Sequence, residues 1–147
     1  MKFHVSTFLF VCVLVSQLAA ASPAVTPVAD SNEQLVQKFV AAFNAQNAEA
    51  MTMMVTDDVQ WLTVDGQKVS VETSSKEELR KSMVGYFKSC PSCKSRIATL
   101  FSTGSRVSAL EIASHETPKG MREHRSLAVY EFSGSLVKRV YYFPVEK

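Results

Sequence analysis

The chain lacks any run of lysine or arginine. Its 16 basic and 14 acidic side chains are scattered over 147 residues and leave a formal net charge of +2. With no concentrated positive field, nucleic acid is not an expected partner. Beyond its first residues the chain also lacks an apolar run of the roughly 20 residues that span a bilayer. Three cysteines are too few for a disulfide framework. No fixed short spacing of histidine, cysteine and carboxylate calls for a metal. No internal repeat or low-complexity tract is present, and no cofactor is expected.

What is present begins with a targeting signal. Met1, Lys2, Phe3 and His4 form a short basic start, and Val5 to Leu18 is a nearly unbroken apolar run. That run has the length of a signal-peptide core and is too short for a membrane span. Ala19, Ala20 and Ala21 supply the small residues a signal peptidase reads, so cleavage is expected after Ala21. The expectation is therefore an exported protein, periplasmic or extracellular, with no membrane contact after cleavage. Cys12 leaves with the signal. Cys90 and Cys93 remain, an even pair in an oxidising setting.

Residues 22–30 are small and punctuated by proline, and read as a flexible lead. Residues 31–147 read as one domain. Ser31 and Gln34 have capping-box spacing, and Leu35, Phe39 and Phe43 recur every four residues, which predicts a helix over 32–45. Asn47 caps a shorter helix expected to run from Ala48 to about Val55, with Thr56, Asp57 and Asp58 ending it. A strand follows over 59–66. Asp65-Gly66 is a hairpin signal, with residues 67–72 as the partner strand. Ser75 and Glu78 open a third helix to about Lys88. Four strand-like segments, 96–102, 106–114, 122–132 and 136–145, complete an α+β order.

Three stretches carry a resemblance. VQKFVAAFNAQNAEAM is similar to a pair of helices, the first rich in aromatics, joined at an Asn-Ala turn. MVTDDVQW is similar to the passage from the second helix into a first strand. LAVYEFSGSLVKRVYYF resembles a closing hairpin. Together they resemble the cone-shaped NTF2-like superfamily, which includes nuclear transport factor 2, the SnoaL-like polyketide cyclases and Δ5-3-ketosteroid isomerase. The resemblance implies a curved, mostly antiparallel sheet wrapped around three helices. It also implies a largely apolar pocket and, often, a homodimer through the open sheet face. Fold alone does not fix function.

The isomerase needs a helix tyrosine, a strand carboxylate as base and a second, late-strand acid that stays protonated. By this resemblance the three positions fall on Phe39, Thr63 and Ala128, or on Tyr130 for the last if the turn is gapped differently. None of these supplies the same set.

Other groups are candidates for a displaced acid or base. Asp65 shares a strand face with Trp61 and Thr63, but a carboxylate at a hairpin tip is ordinarily turn chemistry. Glu111 lies between Ala109 and Ala113. Burial there would make it an acid/base candidate, and the simpler placement is the solvated face of the sheet. His115 and His124 flank the Pro118-Lys119-Gly120 turn and are placed to approach across a hairpin, without the spacing of a metal site. Phe39, Phe43, Trp61, Thr63, Tyr130 and Tyr141 are the expected pocket residues, and core packing is the alternative for each aromatic. Arg139 alternates with Tyr141, either at the pocket edge or exposed. Cys90-Pro91-Ser92-Cys93 follows a helix, where the dipole disfavours a thiolate, so a local disulfide is expected. The leading expectation is a binding module for a small apolar or aromatic molecule. The alternatives are a cofactor-free isomerase, dehydratase or cyclase, and an interaction module working through the sheet face.

Overall fold

The structure, a computed structural model, describes residues 30–144. The expected signal peptide, nearly all of the lead and the last three residues lie outside the described residues. Ser31 caps α1 (Asn32–Asn44) with the full capping box: its hydroxyl accepts from the Gln34 amide, and the Gln34 side chain accepts from the Ser31 amide. Asn47 caps α2, which is shorter than expected, Ala48–Thr52. The residues read as its end are instead the start of β1 (Val55–Asp65). The reason is pairing. Val55 lies opposite Val137 in a parallel ladder, and the Val137 amide donates to the Met54 carbonyl at 2.9 Å. Tertiary hydrogen bonds outweigh the helical preference of Met53 and Met54.

Gly66, at φ 57°, makes the turn from β1 into β2 (Lys68–Thr73). Ser75 caps α3 (Lys76–Ser89), accepting from the Glu78 amide. The expected reciprocal bond is displaced by one residue, since the Glu78 carboxylate accepts from the amide and hydroxyl of Ser74. Then come β3 (Lys94–Thr103), β4 (Arg106–Thr117), β5 (Gly120–Ser133) and β6 (Leu136–Phe143).

The six strands form one sheet in the order β2-β1-β6-β5-β4-β3. All neighbours are antiparallel except β1 and β6. The sheet is curved and unclosed, matching the NTF2-like cone. α1 packs on β3 and β4, α3 packs on β1 and β2, and α2 touches both helices. Val36 and Phe39 of α1, Met51 of α2 and Leu79 of α3 meet Val107 and Val140 of the sheet in one core. Each of these side chains leaves water almost completely, so burial of this apolar face is the main force holding helices to sheet.

Cys90 and Cys93 form a disulfide at the end of α3, with Cα atoms 5.4 Å apart. The same turn is held by three hydrogen bonds: Cys93 backbone amide to Cys90 carbonyl, Gln46 side-chain Nε2 to Pro91 carbonyl, and Glu116 backbone amide to Ser92 hydroxyl. Replacing both cysteines by serine is expected to lower unfolding free energy by about 2 kcal/mol, the chain-entropy value for so short a loop. Urea titration of the two proteins measures it. A loss near zero would show that the hydrogen bonds alone fix the turn.

Candidate functional site

Between the concave sheet face and the helices lies a cavity of about 690 Å³. Cross-strand register decides which side chains reach it. Trp61, Val140, Tyr130 and Val107 are successive partners across β1, β6, β5 and β4. The next row on the same face is Thr63, Tyr142, Ala128 and Ala109. One step further, Ser126 stands opposite Glu111, and beyond them His124 stands opposite Ala113.

Ala109 and Ala128 are fully enclosed and small. They leave room for the Tyr130 side chain to cross two rows, and its hydroxyl donates to Glu111 Oε1 at 2.6 Å. On the other side the Ser95 hydroxyl donates to Glu111 Oε2 at 3.0 Å. Ser95 is itself fixed by Asn44 at the end of α1, whose amide oxygen accepts from the Ser95 amide while its nitrogen donates to the Ser95 carbonyl, both at 2.7 Å. A helix end, a β3 serine and a β5 tyrosine therefore converge on one carboxyl group. Glu111 is 8% exposed. Its placement corrects the simpler expectation of a solvated face: the alternation along β4 holds, but the face carrying Glu111 is the concave one.

The apolar wall is aromatic. Phe39 stacks on Trp61 with ring centroids 6.4 Å apart and meets Tyr130 edge-on at 5.9 Å. Phe43 contacts Tyr86 at 5.8 Å and Phe87 at 5.4 Å, and the Tyr86 hydroxyl donates to Cys93 Sγ. Burial raises the Tyr130 hydroxyl pKa well above the ordinary tyrosine value, and the Glu111 charge and hydrogen bond add to it. Tyr86 is raised too, again chiefly by burial.

The structure brings together most of the residues singled out in the sequence. Phe39, Phe43, Trp61, Thr63 and Tyr130 line the cavity, as do Glu111, His115 and His124. The two histidine rings approach to 6.3 Å across the β4–β5 hairpin, one half-buried and one exposed. Asp65 is exposed at the β1–β2 turn, and does not reach the cavity. Tyr141 is a correction. It stands opposite Val129 on the convex face, and its neighbour Tyr142 takes the cavity position. The error is one of parity, since Tyr130 pairs with Val140 and fixes Tyr142 on its own face. Arg139 also faces away, donating to Gln60 and Glu131. Thr73, Ser95 and Ser126 line the cavity and were not picked out. Their only signal is cross-strand pairing, which a single sequence does not fix. Thr73 and Ser126 are each 4% exposed, and among the described residues neither hydroxyl has a hydrogen-bond partner. Among the described residues no group of three or more ligating side chains is placed to hold a metal ion.

Removing the Tyr130 hydroxyl should change stability in a pH-dependent way. Its folded pKa lies above the unfolded value of about 10. The unfolded chain therefore loses this proton first, and the contribution present below pH 10 is lost as pH rises above it. Tyr130→Phe should unfold in urea with a flatter loss of stability between pH 9.5 and 11 than the parent, a window set about the ordinary tyrosine value. Parallel slopes would mean that the hydroxyl ionises freely.

The fold recurs in solved structures. A cystatin-fold protein from Novosphingobium aromaticivorans is 24% identical, with a TM-score of 0.69 over 78% of this chain and 98% of that one. An NTF2-like protein from Cytophaga hutchinsonii is 12% identical, with a TM-score of 0.63 over 82% of this chain and 95% of that one. Another from Burkholderia pseudomallei is 14% identical, with a TM-score of 0.65 over 78% and 90%. No curated protein matches the sequence. The sequence model for the SnoaL-like domain matches residues 36–140, which takes in most of the cavity lining, from Phe39 on α1 to Tyr130 on β5, and the chain belongs to the SnoaL-like domain family.

Proposed function

We propose that the protein is an exported binding module whose cavity holds a small, flat and largely apolar molecule. The observation that carries this reading is the cavity itself: about 690 Å³ of space walled by Phe39, Trp61, Tyr130 and Tyr142 and not closed by them. A cavity left in a core forfeits dispersion contacts, so its lining is costly to keep unless something fills it. Aromatic walls favour a flat partner, which stacks on a face or meets an edge. Export rests on the basic start, apolar run and alanine triplet of residues 1–21. It is supported further by the Cys90–Cys93 disulfide. The isomerase positions give no competing chemistry, since Phe39 has no hydroxyl and Thr63 has no carboxylate.

A second reading, acid–base catalysis without a cofactor, has one observation in its favour. Of the four displaced candidates, Glu111 is a carboxyl group buried in the cavity wall. It would show as turnover of a bound molecule, abolished by Glu111→Gln.

Titration calorimetry with 2-methylnaphthalene tests the first reading. One molecule should bind per chain with a negative heat-capacity change, the mark of apolar burial. Ala113→Leu puts a larger side chain into the cavity from β4, and should weaken that binding at least about 10-fold, the worth of losing one or two well-packed methylenes' contact. Its urea midpoint should stay within the small range usual for neutral substitutions. Unchanged affinity in Ala113→Leu, or no saturable binding in the parent, would count against the cavity as the site.

A further inference from the structure

Among the described residues Glu111 has hydrogen bonds but no ion-pair partner. Tyr130 and Ser95 each donate to one of its oxygens. The ion pairs formed among the described residues all involve other carboxylates, at more exposed positions. Lys94 also lines the cavity, but its ammonium donates to the Asn44 carbonyl at the end of α1. The charged groups around the space are thus Glu72 and Glu111 against Lys94, with His115 and His124 beside them. A carboxylate withdrawn from water without a cation is costly, and hydroxyl donors offset only part of that cost.

Resting on the proposed binding role, we infer that the ligand ends in a protonated amine, seated against Glu111 with its apolar body along the aromatic wall. A neutral hydroxyl would add one more hydrogen bond to a carboxylate that already has two. A cation supplies what the carboxylate lacks. Two further features fit it. The Ser126 hydroxyl, directly opposite Glu111 in the ladder, is buried and unpartnered, so it is free to accept a second N–H from the same amine. The aromatic wall begins at the carboxylate, where the Tyr130 hydroxyl meets it, and continues through Phe39, which meets the Tyr130 ring edge-on at 5.9 Å; aromatic faces attract cations.

The test compares four probes by titration calorimetry at pH 7: naphthalen-2-ylmethylamine, naphthalen-2-ylmethanol, 2-methylnaphthalene and 2-naphthoate. The amine should bind at least about 10-fold more tightly than the alcohol, as a charge-assisted hydrogen bond in a desolvated site does. The naphthoate should bind most weakly. In Glu111→Gln the amine and alcohol should come within about twofold, while 2-methylnaphthalene keeps its parent affinity and reports that the cavity is intact. If Glu111→Gln does not fold, Ser126→Ala takes its place, with a loss expected for the amine and none for the hydrocarbon. Equal binding of amine and alcohol, or preference for naphthoate, would overturn the amine inference and leave the apolar cavity standing. An amine preference that survives both substitutions would overturn the assignment to this corner. Failure of all four probes to bind would overturn the binding role as well.

Discussion

The hydrogen bond from Tyr130 to Glu111 is the constraint from which the rest of the cavity follows. For the tyrosine to reach across two ladder rows, the residues between must be small, and Ala109 and Ala128 occupy those places on adjacent strands. For the carboxyl group to be tolerated so far from water, its second oxygen must also be satisfied. That requires Ser95 on β3, and Ser95 is held in place by both ends of the Asn44 amide. The cap at the other end of α1, Ser31 with Gln34, sets where that helix begins, and the helix carries Phe39 and Asn44 on its inner side. One buried acid thus ties α1, β3, β4 and β5 into a common geometry. Buried polar networks of this kind fix a single arrangement when every member is satisfied.

The same geometry explains why space remains. Three helices do not cover six strands evenly: α1 lies over β3 and β4, and α3 over β1 and β2. The middle of the sheet, β5 and β6, faces the gap between them. Bulky side chains from that middle, Tyr130 and Tyr142, wall the gap without closing it. The disulfide at the end of α3 holds the α3–β3 turn beside this space, with Cys93 in contact with the Tyr86 hydroxyl.

Local chemistry in the sequence was legible wherever one residue decides the outcome. Ser31, Asn47 and Ser75 start helices because their side chains accept a free backbone N–H. Asp65-Gly66 turns because glycine takes the positive φ. The family resemblance was legible for the same reason, since helix, turn and closing hairpin are local patterns. What was not legible depends on two strands at once. Val55 looks like a helix residue until β6 is laid beside it in parallel. Tyr141 looks equivalent to Tyr142 until Tyr130 is paired with Val140. Glu111 looks solvated until the helices are placed over its face. A bulge between Glu131 and Phe132 shifts the register once more, so alternation along one strand does not carry to the next.

The position of the acid also differs from the one that the isomerase resemblance implies. There the resemblance puts the base on the first strand, whereas here that strand offers Thr63, and the buried carboxyl has moved to β4, beyond β6 and β5 from β1. Strands are spaced about 4.8 Å apart, so three steps across the sheet move the acid by roughly 14 Å before curvature is counted. A ligand lying against Trp61 in the same pose would present its far end, not its near end, to the carboxyl group. The acid on β4 is also held on both sides, since Tyr130 donates to one oxygen and Ser95 to the other. A general base must have a lone pair directed at the proton it removes, whereas the two donors here fix the orientation of the Glu111 carboxyl group within the cavity wall. The vacancy at Thr63 and the anchored carboxyl at Glu111 are thus consistent parts of one design, in which the acid serves as a fixed feature of the cavity wall.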